Sequence, residues 1–315
     1  MADRAYDPEI APLIPLLPTT MDWSDMPAAR DSMAKLFESM GVEAPEARAD
    51  VVWEDRQISG PEGAPDVTIR LYRPPGAAGT RPGVLYIHGG GFCVGSIESE
   101  HASAASLCAD VDAVVASVEY RLAPEDPYPA GLEDCYAALQ WLSAEAAELD
   151  VDPEHIGIMG QSAGGGLAAG LALLARDRGG PRICYQVLGI PEVDDRLETA
   201  SMQQFTDTPL WNRPNAIISW KHYLGEAAGE VSPYAAPSRA KDLSGLPSAY
   251  VSTMEFDPLR DEGIQYAMRL LEHGVSVELH QYPGTFHGSS LMTGAEVSKR
   301  SMQEMADALR RGLRR

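Results

Sequence analysis

From about residue 51 onward, short apolar runs alternate with helical stretches, and this alternation limits the fold more than any other feature. Strands are predicted over Val67–Tyr72, Val84–His88, Ala113–Val118, Ile156–Met159, Tyr185–Ile190, Ala249–Thr253 and Val275–Tyr282. Helices are predicted over Glu100–Val111, Gly131–Ala147, Ala163–Arg176, Asp261–His273 and Ala295–Leu313. Strand followed by helix, repeated, specifies an α/β protein with a mostly parallel sheet covered by helices on both faces. The central runs are almost continuously apolar, as strands buried on both sides must be. In open sheets of this kind, chemistry collects at the carboxyl ends of the strands.

Two segments fall outside the alternation. Residues 1–50 hold Pro8, Pro12, Pro15, Pro18, Pro27 and Pro45 and one helical stretch, Asp31–Met40, whose Met33, Leu36, Phe37 and Met40 share a face. Residues 195–235 carry Phe205, Pro209, Trp211, Trp220 and Tyr223 and read as an inserted helical segment. The expected organisation is an N-terminal arm (1–50), an α/β domain (51–194 and 236–315) and a helical insert (195–235), arm and insert meeting above the sheet.

Lys plus Arg number 25 against 46 Asp plus Glu, a net charge of −21. So acidic a chain is unsuited to a nucleic-acid partner, because nothing would neutralise phosphates, and would dock poorly on an anionic membrane. No apolar stretch is long enough for a membrane span, and the acidic, proline-broken start does not resemble a secretory signal. Cys93, Cys108, Cys135 and Cys184 are scattered, without a C-x-x-C pair or adjacent histidines. No metal or other cofactor is expected, and reduced thiols in a cytoplasmic protein fit best.

Three constellations carry chemistry. Gly160-Gln161-Ser162-Ala163-Gly164 lies between a buried strand and a helix and forms G-x-S-x-G. Such a turn thrusts the serine hydroxyl out at the strand end, with the helix N-terminus beside it. The alternative is a Gly-rich turn that packs tightly and does nothing, and the buried strand before it and Leu167–Leu174 after it weigh against that. His88-Gly89-Gly90-Gly91 follows another apolar strand, and the expected oxyanion donors are the backbone N–H groups of Gly89, Gly90 and Ala163. His88 is read as a loop-holding residue. No G-K-[ST] or G-x-G-x-x-G accompanies the loop, so nucleotide binding is unsupported.

A serine hydroxyl needs a base, and chain order in this architecture runs Ser, acid, His. Of the histidines at 88, 101, 155, 222, 273, 280 and 287, His287 fits, in the loop after the last strand. Asp257 is the expected acid, at the end of the preceding strand with Pro258 fixing the turn, and Glu255 is the runner-up. Asp261 and Glu262 are expected in the first turn of the following helix, where carboxylates favour the dipole.

Together with Tyr120-Arg121-Leu122-Ala123-Pro124-Glu125, Asp257–Gly263 and His287-Gly288, these motifs resemble the hormone-sensitive-lipase-like family of α/β-hydrolases over roughly residues 50–315. The resemblance implies a mostly parallel eight-stranded sheet under a helical cap, carboxylesterase activity on short- to medium-chain acyl esters, and often a homodimer. Carried over by position, Ser162 is nucleophile, Asp257 acid and His287 base, with Gly89, Gly90 and Ala163 as oxyanion hole. Two positions depart from the family pattern: Gln161 stands where an aspartate is usual, and Ser289 where an aromatic is frequent.

For the substrate, Phe92, Met33, Phe37, Phe205 and Trp211 are candidate pocket residues, against the plainer reading that cap apolar groups form ordinary core. An acyltransferase, amidase or lactonase could use the same triad. A non-catalytic small-molecule receptor on this fold is the remaining alternative, although here the serine, acid and histidine are all present.

Overall fold

The computed structural model describes residues 4–23, 25–39, 48–76 and 79–314, and the backbone alone of residues 37–39. Met40, Pro45 and the Phe37 side chain, singled out above, lie outside the described residues.

The strands are β1 (Val52–Ile58), β2 (Val67–Arg73), β3 (Arg81–Ile87), β4 (Val114–Glu119), β5 (Val151–Gln161), β6 (Tyr185–Gly189), β7 (Ser248–Phe256) and β8 (Val277–Phe286). They form one eight-stranded sheet in the order β1-β2-β4-β3-β5-β6-β7-β8. Only β2 runs against its neighbours; every other pairing from β4 to β8 is parallel. The helices are α1 (Met26–Ser39), α2 (His101–Val111), α3 (Ala130–Ala144), α4 (Ala163–Arg178), α5 (Ala200–Gln204), α6 (Arg213–Leu224), α7 (Arg260–Glu272) and α8 (Glu296–Gly312).

The period of two along each strand sorts its side chains into two cores. Leu85 and Ile87 of β3 join α3, α4 and α7 on one face, while Val84 and Tyr86 join α2 and α8 on the other. A third cluster, with Ile10, Ile14, Leu17, Leu210, Met254, Tyr282 and Phe286, ties the N-terminal segment to the carboxyl end of the sheet.

Strand β1 was not predicted. Its residues Trp53 to Arg56 are exposed or half-exposed and only Ile58 is buried, so it carries neither an apolar run nor an alternation. A polar edge of this kind also discourages edge-to-edge pairing. Helix α1 begins at Met26, ahead of the predicted Asp31, because Asp25 caps it by accepting the Ala28 N–H at 3.1 Å and Pro27 is tolerated in a first turn.

The segment after β6 is helical, as α5 and α6. Thr199 caps α5 through the Met202 N–H at 3.3 Å, and Asn212 caps α6 through the Asn215 N–H at 3.3 Å. The N-terminal segment bonds to it directly: Pro18 O accepts the Leu210 N–H at 2.8 Å, Thr19 O accepts Asn212 Nδ2 at 2.6 Å, and Trp23 Nε1 donates to Asn215 Oδ1 at 3.1 Å.

Candidate active site

Ser162 sits between β5 and α4 with φ 56° and ψ −124°, a conformation costly for a residue with a Cβ. The two glycines of the motif make that turn possible. A Cβ on Gly160 would lie 2.2 Å from Gly164 O, and one on Gly164 would lie 2.2 Å from Ile87 O. Backbone on both sides leaves no room to relax. The Ser162 N–H donates to Gly189 O at 2.8 Å, and its carbonyl accepts from Gly166 N at 3.0 Å and Glu192 N at 3.1 Å, so β6 and α4 both hold the turn.

The other two side chains arrive from the last two strands. Phe256 of β7 and Phe286 of β8 are register partners, so the next residue on each strand, Asp257 and His287, leaves the sheet beside the other. His287 Nε2 lies 2.9 Å from Ser162 Oγ, and His287 Nδ1 lies 2.8 Å from Asp257 Oδ2. The carboxylate can only accept, so Nδ1 carries the ring proton and Nε2 is left to accept from the serine. Asp257 is wholly buried, and its Oδ1 accepts the Leu259 N–H at 2.8 Å, which fixes the plane it presents to the histidine. Ser162 and His287 are only 8% and 7% exposed, so the site is nearly closed.

Glu255 is placed differently. Its carboxylate accepts the Gly284 N–H at 2.6 Å and so braces the loop leading to His287. Glu262 is in the first turn of α7 but is buried, accepting from Val193 N at 2.8 Å and Asp194 N at 3.1 Å. It anchors the chain after β6, a role beyond the dipole effect expected from its position.

The glycine loop after β3 abuts the turn: a Cβ on Gly89 would lie 3.0 Å from Gln161 O and 3.6 Å from Ser162 Cβ. No backbone carbonyl of the described residues accepts from the N–H of Gly89, Gly90 or Ala163. His88 faces inward, its Nδ1 2.8 Å from Gly89 O and its ring stacked on Tyr120 at 4.2 Å. Burial pushes its imidazole down to about 4, so it is neutral at pH 7.

The candidate pocket residues scatter. Trp211 lies over the His287 ring, with centroids 5.7 Å apart, and meets Trp23 edge-on at 6.1 Å. Phe92 is buried and stacks on Tyr223 at 3.9 Å. Phe205 instead packs on Phe256 at 6.3 Å, beneath the guanidinium groups of Arg4 and Arg260, so its ring contacts flank the acid and do not reach Ser162. Met33 is half-buried on α1. The two departures from the family pattern are accommodated. Gln161 lays its side chain across Gly189, where a Cβ would come within 2.9 Å of it, and Ser289 is buried, its hydroxyl 3.9 Å from Met254 Sδ.

Among the described residues no group of His, Cys, Asp or Glu is arranged to hold a metal, and no helix is long and apolar enough to cross a membrane. The arrangement can transfer a proton from a serine hydroxyl to an imidazole braced by a buried carboxylate. That is the requirement for nucleophilic attack on an acyl carbon.

A family profile described as the α/β-hydrolase fold matches residues 84–291. The carboxylesterase NlhH of Mycobacterium tuberculosis is 38% identical over 291 residues, covering 90% of this chain and 88% of its own. An arylesterase of Saccharolobus solfataricus is 36% identical over 247 residues, covering 78% of each chain. Among solved structures, a bacterial heroin esterase matches with a TM-score of 0.94 at 51% identity over 99% of both chains.

Proposed function

Because the chain belongs to the hormone-sensitive-lipase-like family of α/β-hydrolases, we propose that Ser162, His287 and Asp257 carry its chemistry as nucleophile, base and acid. The protein is a carboxylic ester hydrolase acting on small ester substrates. The observation that carries the residue assignment is the unbroken hydrogen-bonded line from Ser162 Oγ through the imidazole to Asp257.

The reaction runs in two halves. Ser162 Oγ attacks the ester carbon while His287 Nε2 takes its proton, and Asp257 stabilises the imidazolium. The oxyanion of the tetrahedral intermediate is held by the N–H groups of Gly89, Gly90 and Ala163. The C–O bond to the alcohol breaks as His287 returns the proton to it, leaving an acyl-serine. Water, deprotonated by His287, then attacks the acyl carbon, and the acid departs as Ser162 regains its proton.

Residues 1–50 and 195–235 are read as a cap over a catalytic domain of residues 51–194 and 236–315, with short- to medium-chain acyl groups as substrates and a homodimer as the assembled form. Four free thiols favour a cytoplasmic setting.

The test is labelling by a serine-reactive phosphonate. One adduct per chain on Ser162, with parallel loss of p-nitrophenyl acetate hydrolysis, is expected. Full activity after stoichiometric labelling elsewhere would refute the assignment.

A further inference from the structure

Beside the nucleophile lies a second acid that the reaction as written does not use. Glu192 stands just past β6 in Ile190-Pro191-Glu192-Val193 and is wholly buried. Its N–H donates to the Ser162 carbonyl at 3.1 Å, which fixes it to the turn. Neither carboxyl oxygen makes a hydrogen bond of full geometry to the described residues. A buried carboxylate left so bare would be strongly destabilising. The ionisable groups that interact with it include Asp257, Glu262, Cys93 and Tyr223, none of them a cation. Burial and the nearby Asp257 push the Glu192 carboxyl well above the usual range. Burial without a cation beside it favours the protonated form, which has one O–H to place.

The hydroxyl it faces belongs to Ser219, itself wholly buried on α6. The Ser219 proton is already committed, donated to Gly91 O at 2.8 Å. A hydroxyl has one proton, so toward Glu192 Ser219 can only accept. Gly91 closes the glycine loop at φ 55°, and a Cβ there would lie 3.1 Å from Ser219 Oγ and 2.6 Å from Trp211.

We infer that Glu192 is a positioning residue: it donates its own O–H to Ser219, whose hydroxyl fixes the Gly91 carbonyl and so aims the N–H groups of the oxyanion loop. One residue thereby ties together the nucleophile turn, the loop opposite it and the insert helix above both. The inference rests on the reading of Ser162 as nucleophile and of Gly89 and Gly90 as oxyanion donors.

The test is steady-state hydrolysis of p-nitrophenyl acetate by E192L, E192Q, S219A and the E192L/S219A double variant, each checked by thermal melting. E192L and S219A should each lower kcat about tenfold, less than the loss of a whole oxyanion donor, with KM within about twofold. The double variant should be no slower than S219A, because both act along one path. E192Q, whose amide can donate, should recover kcat to within about threefold of the wild type with an unshifted pH–rate profile. The inference is overturned if E192Q is as slow as E192L, if the losses multiply, if the change falls on KM, or if E192Q displaces the acidic limb. Should E192L not fold, S219A and E192Q/S219A make the same comparison. Failure of the underlying reading has a different signature, ester hydrolysis surviving in Ser162→Ala.

Discussion

Arg30 of α1 grips Glu125 with both terminal nitrogens, at 2.7 and 3.0 Å, while its Nε holds the Cys93 carbonyl at 2.9 Å. The ion pair is half-exposed and contributes at most about 1 kcal/mol, whereas the carbonyl bond reaches the chain just beyond the glycine loop. R30A should therefore cost about 1–2 kcal/mol and raise KM several-fold, while E125Q stays within about 1 kcal/mol of the wild type. Urea melts and kinetics on both variants check this; equal effects would mean that the ion pair, not the carbonyl grip, holds α1.

The proposed triad makes a sharp distinction between neighbouring carboxylates. D257N should lose about 10⁴-fold in kcat, because the amide no longer favours Nδ1–H, and Ser162→Ala at least about 10³-fold. E255Q, altering only the brace on Gly284, should stay within about tenfold of the wild type. A larger loss in E255Q than in D257N would move the acid to Glu255.

The turn itself is testable through stability. Ala at Gly160 or Gly164 brings a methyl to within 2.2 Å of a carbonyl oxygen, and each should destabilise by about 3 kcal/mol or more. Gly229 has open space around its Cβ position, and Ala there should be within about 1 kcal/mol of neutral. Soluble, normally melting G160A would contradict the packing described.

Trp211 fills the space over His287 and against Trp23. Trp211→Ala should shift kcat/KM along a p-nitrophenyl ester series toward longer acyl chains, by roughly 1 kcal/mol per added methylene accommodated. A uniform loss at every chain length would show that Trp211 supports the base rather than bounding a pocket.

His88 gives a pH dependence of definite sign. Burial lowers its folded value to about 4, from an ordinary 6.5. Between those limits the unfolded chain binds a proton that the folded chain refuses, so stability falls as pH drops from 6.5 and levels off below 4, by up to about 3 kcal/mol. Buried Glu192 and Glu262, held high, act in the opposite sense, gaining relative stability toward acid. The difference between wild type and H88Q isolates the histidine. Urea midpoints at pH 7 and 4.5 should converge for the pair as pH falls, and a constant gap would exclude the effect.

The triad candidates were legible because each follows a strand visible in the sequence: β5 points to Ser162, β7 to Asp257, β8 to His287. Near-continuous apolar runs also located the inner strands, whose side chains are buried on both faces. Where burial was one-sided or absent, the signal failed. Strand β1 pairs through its backbone along all of β2, yet its exposed Glu54, Asp55 and Arg56 leave no trace of that in hydropathy. Composition alone put Phe205 with Trp211, although one packs beside Phe256 and the other over His287. Glu192 had a faint signal, an acid immediately after a buried strand, but its partner Ser219 comes from a helix whose docking no local pattern encodes.

The Asp7 N–H donates to Gly284 O at 2.9 Å, three residues short of His287. On the ribosome, residue 7 emerges long before its acceptor exists. Through most of synthesis Ile10, Ile14 and Leu17 must wait without the surface that will cover them, and the arm settles only once β8 has joined the sheet. Docking of this segment is thus bound to the final stage of folding, because Tyr282 and Phe286 of its partner surface come from the last strand to be made.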